Sequence, residues 1–258
     1  MSFPTPEQAV ESSTNTAGTS HTITAPTWTP DQLYLLILDK GSTAATITQS
    51  SGPTVTELLD ENSANGLYIA YRWIAAGDSG NIVLTTSAST RTASIGYRIS
   101  GAENPAKQAP EIGTTGSGSS ATPDPPTLTP TGGTRDYLWI AFYGAAGEEA
   151  DDDTWSDTPP TGFTPSPPRQ KACGTAGTNL GGMIAAAERQ LAADTLDPGT
   201  FAKDTSAAWR SQTIAIHPAG NRIDAINFQD PGLLMKAWDR ARSGILVPRL
   251  WTAEEMTI

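Results

Sequence analysis

The sequence predicts an all-β protein, a jelly-roll-like antiparallel β-sandwich built from two degenerate sequence repeats, with a short C-terminal helix or extended tail. Three observations predict it. Short runs alternate apolar and polar residues with period two: in Thr92 to Ser100, Ala93, Ile95, Tyr97 and Ile99 share one face. Gly (24) and Pro (20) punctuate those runs, together above the usual share of roughly 12%, as many strands joined by many turns require. One strand pattern also recurs in the two halves of the chain.

In chain order, residues 1–19 are polar and read as an N-terminal arm. Strands are expected at 20–25, 32–38, 44–49, 54–59, 67–73, 80–86, 92–100, 137–143, 181–191, 199–203 and 207–217. Leu67, Ile69, Tyr71 and Trp73 repeat the one-faced alternation. Gln32 to Leu38 and Tyr137 to Tyr143 are nearly continuous apolar runs, which suits central strands buried on both faces. The alanine-rich stretch 181–193 also fits a helix; its flanks and its place in the repeat favour a strand.

The repeat begins with Pro26-Thr27-Trp28-Thr29-Pro30, matched by Pro126-Thr127-Leu128-Thr129-Pro130. Asp31 and Asp136 follow, each before a strongly apolar run. Proline turns come next, Gly52-Pro53-Thr54 and Pro159-Pro160-Thr161. Arg72 to Ala76 then parallels Arg189 to Ala193. Finally Gly80 to Gly101 aligns without gaps on Gly199 to Gly220, with Arg91 matched to Arg210 and Ile95 to Ile214. The expected organisation is a sandwich over 20–220 whose halves, 20–101 and 126–220, close face to face on one core. The Gly-, Ser-, Thr- and Pro-rich segment 102–125 links them.

Net charge is −11, and it resides in the first 220 residues, because the tail 221–258 carries five basic and five acidic side chains. A nucleic-acid binder would carry a basic face, so no nucleic-acid partner is expected. The longest apolar-rich run, Leu33 to Leu38, is far short of the roughly 18–20 residues of a spanning helix, so no membrane partner is expected either. In the tail, Asp230-Pro231 is a helix-start signal. Leu233, Leu234 and Trp238 then fall within an apolar stripe at helical spacing. Ile245, Val247, Leu250 and Trp251 form a second apolar segment after Gly244. These seven residues are candidate docking contacts for a neighbouring subunit; the competing reading packs them on the sandwich itself.

Little chemistry stands out. Only His21 and His217 could serve a Ser–His–Asp site, and neither lies in a nucleophile motif, so both are expected to be solvated or hydrogen-bonded. Cys173 is the single cysteine; it can form neither an intrachain disulfide nor a zinc cluster. The acidic run Glu148, Glu149, Asp151, Asp152 and Asp153 lacks the spacing of a calcium loop and reads as a solvated loop. Trp73, Trp139 and Trp209 sit in strands, where core packing is the default. Trp155, beside those carboxylates, is the candidate for contact with a glycan. No catalytic residue, cofactor or metal ligand is assigned.

The segments Tyr97 to Ala102, Pro123 to Pro130 and Asp136 to Ala141, with Asp197 to Phe201 and Trp209 to Pro218, resemble β-rich structural proteins encoded by tailed bacteriophages. The resemblance covers roughly residues 18–219. It implies a non-enzymatic virion protein, capsid-decorating or head-associated, located in particles assembled in the bacterial cytoplasm. Its partners would be other capsid or tail subunits and further copies of itself, with a trimer suggested by analogy alone. The alternative is a tail- or fibre-associated module that binds host-surface glycans.

Overall fold

The computed structural model describes residues 2–146, 157–174 and 181–220. These form two six-stranded antiparallel sheets and no helix. The first sheet contains β1 (Thr5–Ile23), β2 (Leu33–Asp39), β3 (Ile47–Ser51), β4 (Thr56–Asp60), β5 (Leu67–Trp73) and β6 (Ile82–Ser100). Its order is β1-β6-β2-β5-β4, with β3 beside β6. The second contains β7 (Glu111–Ile112), β8 (Gly116–Ser120), β9 (Arg135–Ala146), β10 (Thr164–Ala172), β11 (Gly182–Ala193) and β12 (Ala207–Ile216). Its order is β10-β11-β9-β12-β7, with β8 also on β12.

Every residue of β2 is buried because the strand lies between β5 and β6 and is covered on both faces. Leu33, Leu35 and Ile37 join Leu138, Ile140 and Phe142 of β9 in the core between the sheets. Tyr34, Leu36 and Leu38 point the other way, into a second cluster with Ile23, Ile47, Ile82 and Leu84. That cluster exists because β1 and β6, each 19 residues long, bend together. Their register shifts between Thr14 and Ser20. Thr24 N–H donates to Ser12 Oγ at 3.3 Å, although twelve residues of straight strand would span about 40 Å. The ribbon folds back and, with β3, covers the outer face of β2 and β5. On the second sheet Leu128, Phe163, Leu196 and Phe201 cover the outer residues Tyr137, Trp139 and Tyr143.

The antiparallel sandwich expected from the sequence is present. A jelly roll sends strands back and forth between its sheets through Greek-key connections. Here β1–β6 lie in one sheet and β7–β12 in the other, so that interleaving is absent. Both sheets use one strand order: β6-β2-β5-β4 in the first matches β12-β9-β11-β10 in the second. The ladders also correct the gapless alignment. Leu33 pairs with Trp73 and Ile99, and Leu138 pairs with Gln190 and Ile216. Ile99 therefore corresponds to Ile216, not to Pro218. A slip of two leaves every side chain on its own face, so the alternation alone could not detect it.

Other expectations change. Most of the polar stretch 1–19 belongs to β1 and pairs with β6. The runs 80–86 and 92–100 are one strand, β6. The linker 102–125 contains β7 and β8. Gly116 and Gly118 let β8 lie flat on β12, since a Cβ would stand 2.5 Å from Ser211 Oγ at the first and 2.5 Å from the Trp209 ring at the second. β10 contains Pro165, Pro167 and Pro168, tolerated because it pairs only with β11, at the sheet edge. Residues 199–203 form no strand; they contribute the isolated bridge Thr158–Ala202. The alanine-rich segment is strand β11. The acidic run at 148–153 and the helix expected in the tail fall outside the described residues.

Candidate functional site

His217 directly follows β12, and Glu111 opens β7. The backbone pair Ile214–Ile112 brings these two ends together. His217 Nε2 lies 2.6 Å from Glu111 Oε1. Glu111 also accepts from Thr131 N–H at 3.0 Å and from Thr131 Oγ1 at 2.8 Å. Burial opposes ionisation of Glu111, but the Thr131 and His217 hydrogen bonds outweigh it and hold the carboxyl below its usual range. Burial lowers the His217 imidazole by more than Glu111 raises it. The pair is thus a carboxylate and a neutral ring donating from Nε2. His217 Nδ1 is then a bare acceptor, with no hydrogen-bond partner among the described residues. The ring stands edge-on to Tyr137, centroids 5.1 Å apart.

A Glu–His pair needs an aligned nucleophile to do acyl chemistry. Thr131 Oγ1 donates its hydrogen bond to Glu111, and Tyr137 Oη donates to Gly133 O. Among the described residues no hydroxyl or thiol addresses His217. The pair instead ties the segment 102–113, which joins the sheets, to the end of β12; Glu103 N–H to His217 O at 2.9 Å reinforces the tie.

At β4 and the end of β2, Lys40 is fully buried. Its Nζ donates to Asp60 Oδ1 at 2.5 Å, to Ala45 O at 2.6 Å and to Glu61 O. Asp60 Oδ2 accepts from Ile47 N–H at 2.7 Å. One ammonium thus holds β2, β4 and the start of β3 together. Between the sheets Arg169 Nε meets Glu188 Oε1 at 2.6 Å, and its guanidinium carbon lies 5.9 Å from the centre of the Tyr97 ring. Burial raises the Glu188 carboxyl against the opposing pull of Arg169. This pair joins β10 to β11 and presses on the first sheet.

His21 is fully buried, with Nε2 3.0 Å from Thr86 Oγ1 and Nδ1 3.3 Å from Thr92 Oγ1. Burial lowers its pKa, with a backbone hydrogen bond at Gly18 opposing, so it is a neutral core histidine. Cys173 is buried with Sγ 3.4 Å from Gly182 O; burial pushes its thiol far up and keeps it unreactive. Trp139 and Trp209 are core residues whose indole N–H groups reach Leu191 O and Ser120 Oγ at 3.0 Å. Trp73 is half-buried against the inter-sheet core. A recess of about 200 Å³ lies among Ala17, Ser42, Thr43, Ser89, Thr90 and Arg91. No group of three or more metal-ligating side chains occurs among the described residues. Trp155 and the docking candidates Leu233, Leu234, Trp238, Ile245, Val247, Leu250 and Trp251 lie outside the described residues.

The residues that organise these ends, Lys40, Asp60, Glu111, Arg169 and Glu188, were not singled out in the sequence. One signal was available. Asp39 falls in phase with Leu33, Leu35 and Ile37, so period two alone places a carboxyl in the core. No protein-family model, curated protein or solved structure matches this chain.

Proposed function

We propose that the chain is a non-enzymatic structural protein of a tailed-phage particle, a capsid-decorating or head-associated subunit that assembles on neighbouring virion proteins. The observation that carries the reading is how the fold uses its buried polar side chains. Lys40, Glu111 with His217, and Arg169 with Glu188 each join separate segments of the sandwich. Such links favour one rigid, defined shape, which suits a subunit that must fit a lattice. The phage-like segments of the sequence and the acidic body, suited to a solvent-facing position, agree with it. The charge-balanced, apolar tail 221–258 is the proposed contact with the shell.

Mass spectrometry of purified particles tests the assignment: the chain is expected at structural copy number, and its absence would overturn it. Co-sedimentation with empty shells then locates the contact. The full chain is expected to bind and a chain truncated after Gly220 to lose binding; undiminished binding would remove the tail from the mechanism. Binding to a glycan array in place of shells would point to the host-surface alternative.

A further inference from the structure

The inward positions of β2 read Leu33, Leu35, Ile37, Asp39, three hydrocarbon side chains and then a carboxyl in the same phase. Asp39 is completely buried. Its Oδ2 accepts from Gly41 N–H at 2.9 Å, and its Oδ1 has no hydrogen-bond partner among the described residues. Two glycines of the second sheet make room for it. A Cβ on Gly144 would stand 2.6 Å from Oδ1, and one on Gly182 would overlap Oδ2.

Among the described residues, the groups around it do not neutralise a charge. In its own sheet Leu67 of β5 and Ala93 of β6 flank it in register. Lys40 is next in the chain, but its ammonium is turned to Asp60. Cys173, at the end of β10, has its thiol raised by burial and further by Asp39; Arg91 of β6 acts weakly the other way on that thiol. No side-chain cation hydrogen-bonds Asp39 among the described residues. A buried carboxylate with one bare oxygen is costly, and a proton removes the cost.

We propose that Asp39 is a proton-operated latch. As a neutral acid it lets this end of the sandwich close over Gly144 and Gly182; as a carboxylate it loosens that end and opens a path to Cys173. Burial drives the carboxyl up to about 8, with the Gly41 hydrogen bond and Lys40 opposing. The folded value lies above the unfolded one. The stabilisation is therefore complete in acid, and it is lost as pH rises towards and through the folded value.

Cys173 is the only cysteine of the chain and so reports the opening. The test compares the rate of Cys173 labelling by a soluble thiol reagent in the full wild-type chain and in Asp39→Asn. The ratio of wild-type to variant rate is expected to rise about a hundredfold between pH about 6 and about 9. The charge of Asp39 acting directly on the thiol would lower that ratio, so it cannot imitate the result. A flat or falling ratio overturns the latch. Should Asp39→Asn not fold, carbon NMR of the wild-type Asp39 carboxyl decides. A midpoint near 8 is expected, and an ordinary midpoint near about 4 overturns the proposal.

Discussion

Asp39 and Gly144 stand at the same place in their respective sheets and meet across the core. Asp39 lies six residues beyond Leu33 and pairs with Leu67 and Ala93. Gly144 lies six residues beyond Leu138 and pairs with Ile184 and Arg210. One position carries a carboxyl and the other carries no side chain, so the two fit. Gly144→Ala should force a Cβ against Asp39 Oδ1 and also against Leu67 Cδ2, 2.9 Å away. A loss of about 1–3 kcal/mol is expected from such overpacking, read from urea denaturation. The loss should shrink in an Asp39→Gly background, and a double-mutant cycle measures that coupling.

Lys40 has no exposed surface, and Asp60 retains little. Lys40→Met keeps the hydrocarbon volume but strands the carboxylate of Asp60 and the carbonyls of Ala45 and Glu61. Removing one partner of a buried pair costs about 3–5 kcal/mol. Lys40→Met combined with Asp60→Asn should recover part of that loss. An unchanged urea midpoint for Lys40→Met would refute this role.

The end of the sandwich at His217 should respond to acid. The His217 folded pKa is lowered, so protonation favours the unfolded chain, and stability falls as pH drops below the usual histidine value of about 6.5. Glu111 is also lowered; its contribution is present above the unfolded carboxyl value and lost as pH falls through the folded one. Both act opposite in sign to Asp39. His217→Gln should flatten thermal midpoints across the histidine range while leaving the alkaline side unchanged. Equal slopes for variant and wild type would count against the pair.

Gly118 rests against Trp209, whose ring atoms Cζ2 and Cε2 would lie 2.5 Å and 2.9 Å from an added Cβ. Gly118→Ala should either lift β8 from β12 or displace the indole, at a cost of about 1–3 kcal/mol. Loss of hydrogen-exchange protection confined to 116–120 and 207–211 would confirm that β8 is held there. Undisturbed protection would show that the strand adapts.

Strands that carry their own hydrophobic signature were legible in the sequence. β2 and β9 are continuous apolar runs, the second half of β6 alternates strictly, and β5 carries Leu67, Ile69, Tyr71 and Trp73 on one face; the inward residues of these strands form the core between the sheets. Strands recruited by their neighbours were not. β1 is Ser- and Thr-rich, β8 is Gly-Ser-Gly-Ser-Ser, and β10 holds three prolines. Each pairs with a strand that does have a pattern, and the backbone hydrogen bonds of that partner dictate its conformation.

By itself the sequence determined the class of fold, the central strands and the faces they bury, because a period-two pattern depends only on which side chains avoid water. Tertiary structure alone decided that each half forms its own sheet, that the ribbon of β1 and β6 folds back over β2, and that ladder register differs by two from the gapless alignment. It also decided the pairing of Glu111 with His217 and the meeting of Asp39 with Gly144. Those are relations between residues distant in the chain, and local patterns of hydrophobicity carry no information about which distant groups will meet.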